Sequence, residues 1–243
     1  YTANADGLGV LRILESIKRH KKKKIKFYQA STSEMFGNSK PPQSEKTNFA
    51  PKSPYGAAKL YGHWITKIYR ESYGIFACSG ILFNHESPLR GETFVTKKIV
   101  TSAVKFFYKK KGVLEIGNLN AIRDWGHAKD YVKNMWLMLQ KKKPDDYVIA
   151  TNKSCSVRSF IEKVYHYLGI KVIWKGKGKK EIGIDQKTNK TIIRINPKYF
   201  RPNEVDNLRG DPKKAKKDLN WKPKILLNEL VKEMTEYELK LQR

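Results

Sequence analysis

The sequence predicts an α/β protein that forms a doubly wound parallel sheet together with a smaller, C-terminal α/β domain. Of the 243 residues, 40% are hydrophobic, which is enough to fill a substantial core. A helix-like segment precedes the strand-like run 25–30, an order typical of the later half of such a sheet. The run 75–83 is almost entirely apolar, as in a parallel strand buried on both faces.

Helix and strand signals then follow in order along the chain. Apolar residues recur at helical spacing over 2–20 and again over 55–73, where Ser53 and Pro54 provide a start signal. The polar loop 84–88 follows the buried strand, at the edge where parallel sheets bind ligands. Further helices are predicted over 94–109, 131–140, 156–168, 211–219 and 226–241, and further strands over 114–116, 147–150, 172–174 and 191–195.

The formal net charge of +27 raises nucleic acid as a partner, because basic surfaces attract polyanions. Most of the excess is lysine, whereas arginine is the better bidentate phosphate ligand. The runs 21–24, 109–111 and 141–143 are scattered and follow helix-like segments, where cations suit the helix C-terminus. We therefore interpret the charge as solvated surface that attracts nucleic acid only nonspecifically, at low salt. The basic loop 175–180 is a poor phosphate cradle, since no helix-like segment follows it.

The cysteine content favours a cytoplasmic, reducing location. Cys78 and Cys155 are too few for a disulfide scaffold, and we expect both to be small buried residues. No apolar run is long enough to span a membrane, and no signal peptide is visible, although a segment before Tyr1 stays an alternative. No metal is predicted, because four of the histidines lack metal-ligand spacing: His20, His63, His127 and His166.

One stretch, residues 27–59, carries the chemistry. A strand end, a loop and a helix start are expected to bring Thr32, Glu34, Tyr55 and Lys59 into one cleft. Tyr55 and Lys59 share a helix face, and an ammonium beside a phenol favours the phenolate, which makes Tyr55 a candidate general base. Glu34 is a second acid/base group and Thr32 a neutral donor. The Y-x-x-x-K spacing alone is weak evidence, since chance produces it in a chain rich in both residues.

Four segments together resemble the GDP-mannose 4,6-dehydratase family, extended short-chain dehydrogenase/reductases that use NADP. They are Ala30–Gly37, Ser53–Lys59, Phe83–Pro88 and Arg123–Val132. The resemblance runs over essentially the whole chain. It implies a partial Rossmann-type sheet whose first strands and glycine turn are missing, and therefore a fragment, a partial reading frame or one piece of a split protein. It also implies a domain split in which 1–92, with parts of 119–150, belong to the NADP-binding domain and 93–243 mainly to the GDP-sugar-binding domain.

The resemblance further implies a hydro-lyase that converts GDP-mannose to GDP-4-dehydro-6-deoxy-mannose and water by internal redox chemistry. Tyr55 is then the base at the 4-hydroxyl, Lys59 assists it and holds the cofactor ribose, Glu34 is the elimination acid/base and Thr32 orients the sugar. Cofactor positions carried over by resemblance are Tyr1, Tyr55, Lys59, His85 and Arg90. Substrate positions carried over are Asn84, Val95, Lys98, Arg123, Arg201 and Glu204. The helices 2–20 and 55–73 are expected to pair two subunits, while a tetramer contact falls in the missing part.

Competing interpretations stay open at this point. Taken alone, His85 is better explained as a loop histidine; the alternative for Arg123 is a structural ion pair with Asp124, and the alternative for Arg201 is a surface position. At the level of function, the alternatives are an inactive fragment that binds GDP-sugar or a partner subunit, a related sugar-nucleotide dehydratase or epimerase, and a basic nucleic-acid-binding protein.

Overall fold

The computed structural model describes residues 1–20, 24–200 and 203–243. A π-helical turn, Ala3–Leu8, runs directly into the first α-helix. The α-helices are α1 (Gly9–Arg19), α2 (Pro54–Tyr73), α3 (Val95–Lys109), α4 (Ala128–Gln140), α5 (Val157–Tyr167), α6 (Lys213–Leu219) and α7 (Leu227–Gln242). The strands are β1 (Lys26–Thr32), β2 (Phe76–Leu82), β3 (Asn84–Glu86), β4 (Leu114–Ile116), β5 (Ile122–Arg123), β6 (Trp125–His127), β7 (Asp146–Ile149), β8 (Cys155–Ser156), β9 (Val172–Lys175), β10 (Ile182–Asp185) and β11 (Thr191–Ile195).

The predicted helices and longer strands are confirmed to within a few residues, and the mixed α/β class with a parallel sheet is confirmed with them. Strand β10 was not predicted. It is short and contains Gly183, which has little strand propensity of its own. Its pairing with β9 and β11 forms the strand, and an added Cβ at Gly183 would lie only 2.6 Å from Ile193.

Two compact units share the chain. The first contains Tyr1–His85, Asp124–Ser154 and Val205–Lys224, and the second contains Glu86–Arg123, Cys155–Glu204 and Ile225–Arg243. The segment Val205–Lys224 belongs to the first unit, whereas the sequence prediction placed residues 93–243 mainly in the second domain. The reason is its apolar side chains: Ala215, Leu219 and Trp221 are buried in the same core cluster as Tyr131 and Tyr147.

The first unit is built on a parallel sheet in the order β1-β2-β7. Thr32 pairs with Leu82, and Leu82 pairs with Ile149, so the three strands end at one edge. The loops that leave this edge therefore start side by side, where parallel sheets place their ligands. This arrangement puts the segment after Thr32 next to the segment after Leu82.

The second unit has a four-stranded sheet in the order β4-β11-β10-β9. Strands β4 and β11 are parallel, and the other two pairs are antiparallel. Helices α3, α5 and α7 supply further buried side chains, among them Val100, Phe160 and Leu230. None of the helices in the described part of the chain has the length and apolar character that a membrane crossing requires.

Candidate active site

Thr32 and Glu34 lie at the turn where β1 ends. Thr32 has an extended backbone, and its Oγ1 accepts a hydrogen bond from the Glu34 amide at 3.2 Å. The hydroxyl thus caps the short 3₁₀ turn Ser33–Phe36 that follows. Because the cap fixes the backbone, Thr32 is held buried while the Glu34 side chain remains partly accessible.

Helix α2 starts against the same turn. Ser53 caps the helix, since its Oγ accepts from the Gly56 amide at 3.0 Å, and Pro54 occupies the first turn. A Cβ at Gly56 would lie 3.0 Å from the Glu34 carbonyl oxygen, so only glycine allows this close approach without adjustment. The approach brings Glu34 next to the first turn of α2, which carries Tyr55.

Lys59 lies one turn further along α2 and is fixed by two oxygen atoms. Its Nζ donates to the Ala30 carbonyl oxygen at 3.0 Å and lies 3.4 Å from Asp6 Oδ1. The same Nζ is 5.7 Å from the ring centroid of Tyr55, whose side chain is 42% exposed. The four residues predicted from the sequence are therefore assembled within the first unit: Thr32, Glu34, Tyr55 and Lys59.

Asp6 is the residue that sequence reasoning missed. It lies in the π-helical turn Ala3–Leu8, an irregularity often found at functional sites. The turn packs tightly on α2, because a Cβ at Gly62 would lie 2.9 Å from the Asp6 carbonyl oxygen. The two glycines near this contact, Gly7 and Gly62, were the available sequence signal, but nothing local indicated that Asp6 would meet Lys59.

Asn84 and His85 follow β2 at the same sheet edge. Asn84 Oδ1 is buried and accepts no hydrogen bond from the described residues. The His85 Nδ1 lies 2.9 Å from the Phe83 carbonyl oxygen, so Nδ1 carries the proton and donates it. The ring also stacks on Tyr131 with centroids 4.9 Å apart. His85 therefore lies in the short strand β3 with its ring held in place, and Nε2, the other ring nitrogen, is an acceptor in the neutral imidazole. Tyr1, in contrast, is fully exposed.

Three of the predicted ligand residues form a cluster at the start of α3, in the second unit. Arg90 Nε lies 3.0 Å from the buried carboxylate of Glu86, and its guanidinium covers the Phe94 ring at 3.5 Å from the centroid. Burial raises the pKa of Glu86, although Arg90 and a hydrogen bond from Thr96 oppose that shift. Val95 begins the helix, and the Lys98 ammonium covers the Tyr199 ring at 3.7 Å. Glu86 was a further residue that the sequence did not single out.

Arg123 and Glu204, both predicted to hold the substrate, approach each other in the second unit. Arg123 Nη2 lies 3.7 Å from Glu204 Oε1, and Nη1 donates to the Ile122 carbonyl oxygen. Asp124 belongs to the first unit, where its carboxylate accepts from the Thr151 amide and hydroxyl and from two further amides. These contacts give Asp124 a structural role of its own. Arg201 lies outside the described residues.

The hydrogen-bonding groups of the first unit suit the ribose and nicotinamide portion of a dinucleotide. An ammonium, a phenol and an imidazole acceptor can each bind a hydroxyl or amide group, and they are contributed by Lys59, Tyr55 and His85. Within the second unit, Lys98 and Arg123 are cations of the kind that bind a diphosphate.

A protein-family model described as GDP-mannose 4,6 dehydratase matches residues 1–234. The chain belongs to the GDP-mannose 4,6 dehydratase family. A Drosophila melanogaster GDP-mannose 4,6 dehydratase is 52% identical over 245 residues, an alignment that covers 100% of this chain and 62% of the relative. The chain therefore spans less than two thirds of that relative's length.

Solved structures share the fold of this GDP-mannose 4,6 dehydratase family member. A Bacillus anthracis dTDP-glucose 4,6-dehydratase in complex with NAD has a TM-score of 0.80 at 21% identity, covering 98% of this chain and 68% of that one. A Pseudomonas aeruginosa protein, RMD, complexed with NADPH has a TM-score of 0.79 at 17% identity, covering 97% and 73%. At these identities, the similarity establishes the Rossmann-like fold.

Proposed function

We propose that the chain carries out, or forms part of a protein that carries out, the dehydration of GDP-mannose to GDP-4-dehydro-6-deoxy-mannose. The observation that carries the proposal is the family match over residues 1–234, together with the assembly of Thr32, Glu34, Tyr55 and Lys59 in one unit. The first unit contributes Asn84 to substrate binding, and the second unit contributes two cations for the nucleotide, Lys98 and Arg123. Two free thiols, Cys78 and Cys155, suit a cytoplasmic location.

In the proposed mechanism, Tyr55 removes the proton of the 4-hydroxyl group, and Lys59 stabilises the resulting negative charge on the phenol. NADP, the cofactor that the resemblance implies, would be held by Tyr55, Lys59 and His85, and would take the C4 hydrogen as hydride and return it to C6. Glu34 removes the C5 proton and passes it to the C6 hydroxyl, which leaves as water. Tyr55 returns to C5 the proton that it took from the 4-hydroxyl group, so that protons and hydride balance when C6 is reduced. Thr32 hydrogen-bonds the sugar and orients it.

The proposed reaction needs two acid/base groups, Tyr55 and Glu34, because protons are transferred at two separate places on the sugar. One group at the 4-hydroxyl cannot also reach the C5–C6 bond that loses water. A 4-epimerase requires no elimination base, so Glu34 favours a dehydratase.

A dimer of the chain is part of the proposal. Helices α1 and α2 expose apolar side chains that an isolated subunit would leave in water: Ile13, Tyr61, Trp64, Ile68 and Tyr73. Packing of these helices against a second copy would bury them. Analytical ultracentrifugation tests this, with Trp64→Glu expected to shift the chain to monomer.

The test of the reaction is product analysis with GDP-mannose and NADP. Tyr55→Phe should abolish turnover and leave GDP-mannose affinity nearly unchanged, because the aromatic ring is kept and only the hydroxyl group that accepts the proton is lost. Glu34→Gln should stall after oxidation at C4. Formation of 6-deoxy product by either variant at the normal rate would remove that residue from the mechanism.

The inactive-fragment alternative gives a different result in the same assay. It predicts GDP-mannose binding by calorimetry without turnover by the unaltered chain. A related epimerase would change the configuration at C4 without losing water from C6.

A further inference from the structure

Four lysines lie close together in the second unit, at the last residue of β9 and on the connection from β9 to β10. Lys175, Lys177, Lys179 and Lys180 are all exposed, and the last two lie in a 3₁₀ turn, Gly178–Lys180. In the part of the chain that the structure describes, no carboxylate lies within ion-pair distance of these four ammonium groups. We refer to residues 175–180 as the basic hairpin.

Nearby acidic residues are already committed to other partners. The Glu181 carboxylate, next to the hairpin, receives two hydrogen bonds from Arg158, at 2.6 and 3.0 Å. Asp185, at the end of β10, is 5% exposed and accepts from the Thr188 hydroxyl at 2.6 Å. The positive charge of the basic hairpin is therefore left uncompensated by its own strands, so its field extends into solvent.

Contacts through two aromatic residues link the hairpin to the proposed nucleotide-binding residues. The Lys179 ammonium lies 6.0 Å from the centroid of Phe200, and the Lys98 ammonium lies 3.7 Å from the centroid of the adjacent Tyr199. Tyr199 is held closely by the segment after β4, since a Cβ at Gly117 would lie 2.5 Å from its carbonyl oxygen. Lys179 of the hairpin and Lys98 thus each lie over one of two aromatic residues that are neighbours in the sequence.

The distance over which the lysine charges act determines how the basic hairpin can affect an anionic ligand. At an ionic strength of 0.1 M, charges interact over a Debye length of about 10 Å, which covers neighbouring groups on this surface. Exposed lysines on flexible stems are poor at fixing a ligand in one geometry, but they raise the local concentration of an anion and so its association rate.

We propose that the basic hairpin is an electrostatic entrance that captures the diphosphate of the nucleotide-sugar and speeds its transfer to Lys98 and Arg123. The inference rests on the proposed function. The hairpin acts on the association rate and adds little to the bound complex. This assigns part of the unusual positive charge of the chain to one surface and one ligand, a nucleoside diphosphate.

Stopped-flow binding of a fluorescent GDP, N-methylanthraniloyl-GDP, tests the proposal on the full chain. The variant is Lys177→Glu/Lys180→Glu. The matched control is Lys109→Glu/Lys111→Glu, which makes the same change in net charge on exposed residues at the other end of α3 from Lys98. A neutral pair, Lys177→Gln/Lys180→Gln, guards against effects of introduced acids.

At low salt, we expect the hairpin variant to associate about tenfold more slowly than the unaltered chain, and the control less than twofold more slowly. The neutral pair should fall between them. Dissociation rates should agree within about twofold, and the association rates of all four proteins should converge near 0.5 M salt.

Other outcomes would overturn the proposal. Equal slowing in variant and control would show that net charge alone matters, and a faster dissociation rate would make the hairpin part of the bound site. Normal nucleotide kinetics, with hairpin-dependent binding of a single-stranded oligonucleotide, would assign the hairpin to nucleic acid. Absence of GDP binding in the unaltered chain would instead reject the proposed function, and the entrance with it.

Discussion

Lys59 shows how a residue in the candidate site depends on partners far away in the chain. The Ala30 carbonyl oxygen and the Asp6 carboxylate together hold its ammonium group near the Tyr55 ring. Tyr55 and Lys59 were predictable because their spacing on one helix is local. Asp6 was not, because its role comes from packing of the π-helical turn on α2 through Gly62.

A double-mutant cycle tests the ion pair between Asp6 and Lys59. Asp6→Asn, Lys59→Met and the combined variant should show a coupling of about 0.5–1 kcal/mol in the free energy of unfolding, because both side chains are partly exposed. Urea denaturation measures it. Coupling should decrease at 0.5 M salt, and a coupling of zero at low salt would mean that Asp6 does not hold Lys59 in solution.

At the scale of elements, helices α3 and α7 are joined by a buried ion pair. Lys97 Nζ lies 2.7 Å from Glu238 Oε2 and donates also to the Pro88 carbonyl oxygen at 3.2 Å. Gln242 donates to the other Glu238 oxygen at 2.6 Å. Lys97 is the residue before Lys98, so the ion pair fixes the part of α3 that carries a proposed nucleotide-binding residue. Helical periodicity predicted both helices but could not predict which polar residues would face each other.

Removing one member of this pair should destabilise the protein more than removing both. Lys97→Met is expected to cost about 3 kcal/mol of unfolding free energy, since it leaves the Glu238 carboxylate buried and uncompensated. Lys97→Met/Glu238→Leu should recover most of that loss. Chemical denaturation of the two variants decides; a double variant as unstable as the single one would contradict the explanation.

The same pair has a predictable pH dependence. Burial alone would raise the pKa of Glu238, but the hydrogen bonds from Lys97 and Gln242 outweigh that effect, so the pKa lies below the ordinary value of 4.5 for a glutamate. A lowered pKa in the folded state contributes stability above the unfolded value and loses it as the pH falls through the folded value. Glu238→Gln should therefore reduce the acid sensitivity of unfolding below about pH 4.5.

For the whole molecule, Asp124 connects parts of the first unit that are distant in sequence. Its two oxygens accept from Thr151, Asn152 and Gly210, at distances of 2.5–3.2 Å. Thr151 and Asn152 precede the point where the chain leaves the unit at Ser154, and Gly210 follows the point where the chain re-enters it. The sequence offered Arg123 as the partner of Asp124; the long-range amide donors could be found only from the fold.

Asp124→Asn should destabilise the first unit by about 2 kcal/mol, because an amide NH₂ would face backbone N–H donors that a carboxylate oxygen now satisfies. Tryptophan fluorescence during urea unfolding reports the change. Asp206→Asn, an exposed residue of the same unit, is the matched control and should have little effect. Equal stability of the two variants would be the contrary result.

Titration of Asp124 provides a second measurement. Burial raises its pKa from 3.8 to about 6, despite the hydrogen bonds from Thr151, Gly210 and Asn152 that lower it. Because the folded state holds the Asp124 proton more tightly than the unfolded state does, the protonated carboxyl contributes stability to the fold. That contribution is complete below pH 3.8 and is lost as the pH rises through about 6. The unfolding free energy, measured by urea denaturation, should therefore fall as the pH rises from 4 to 6, and Asp124→Asn should remove this part of its pH dependence.

Local patterns in the sequence determined the α/β class, the order of the longer helices and strands, the Ser53 cap and the motif residues of the first unit. These features depend on periodicity, capping and spacing within a few residues of each other. Only the tertiary structure decided that Asp6 reaches Lys59, that Arg123 approaches Glu204, that Val205–Lys224 joins the first unit and that Ile182–Asp185 forms a strand. In each case the deciding partner is distant in the chain, and its contact is selected by packing and burial, which local residue preferences do not specify.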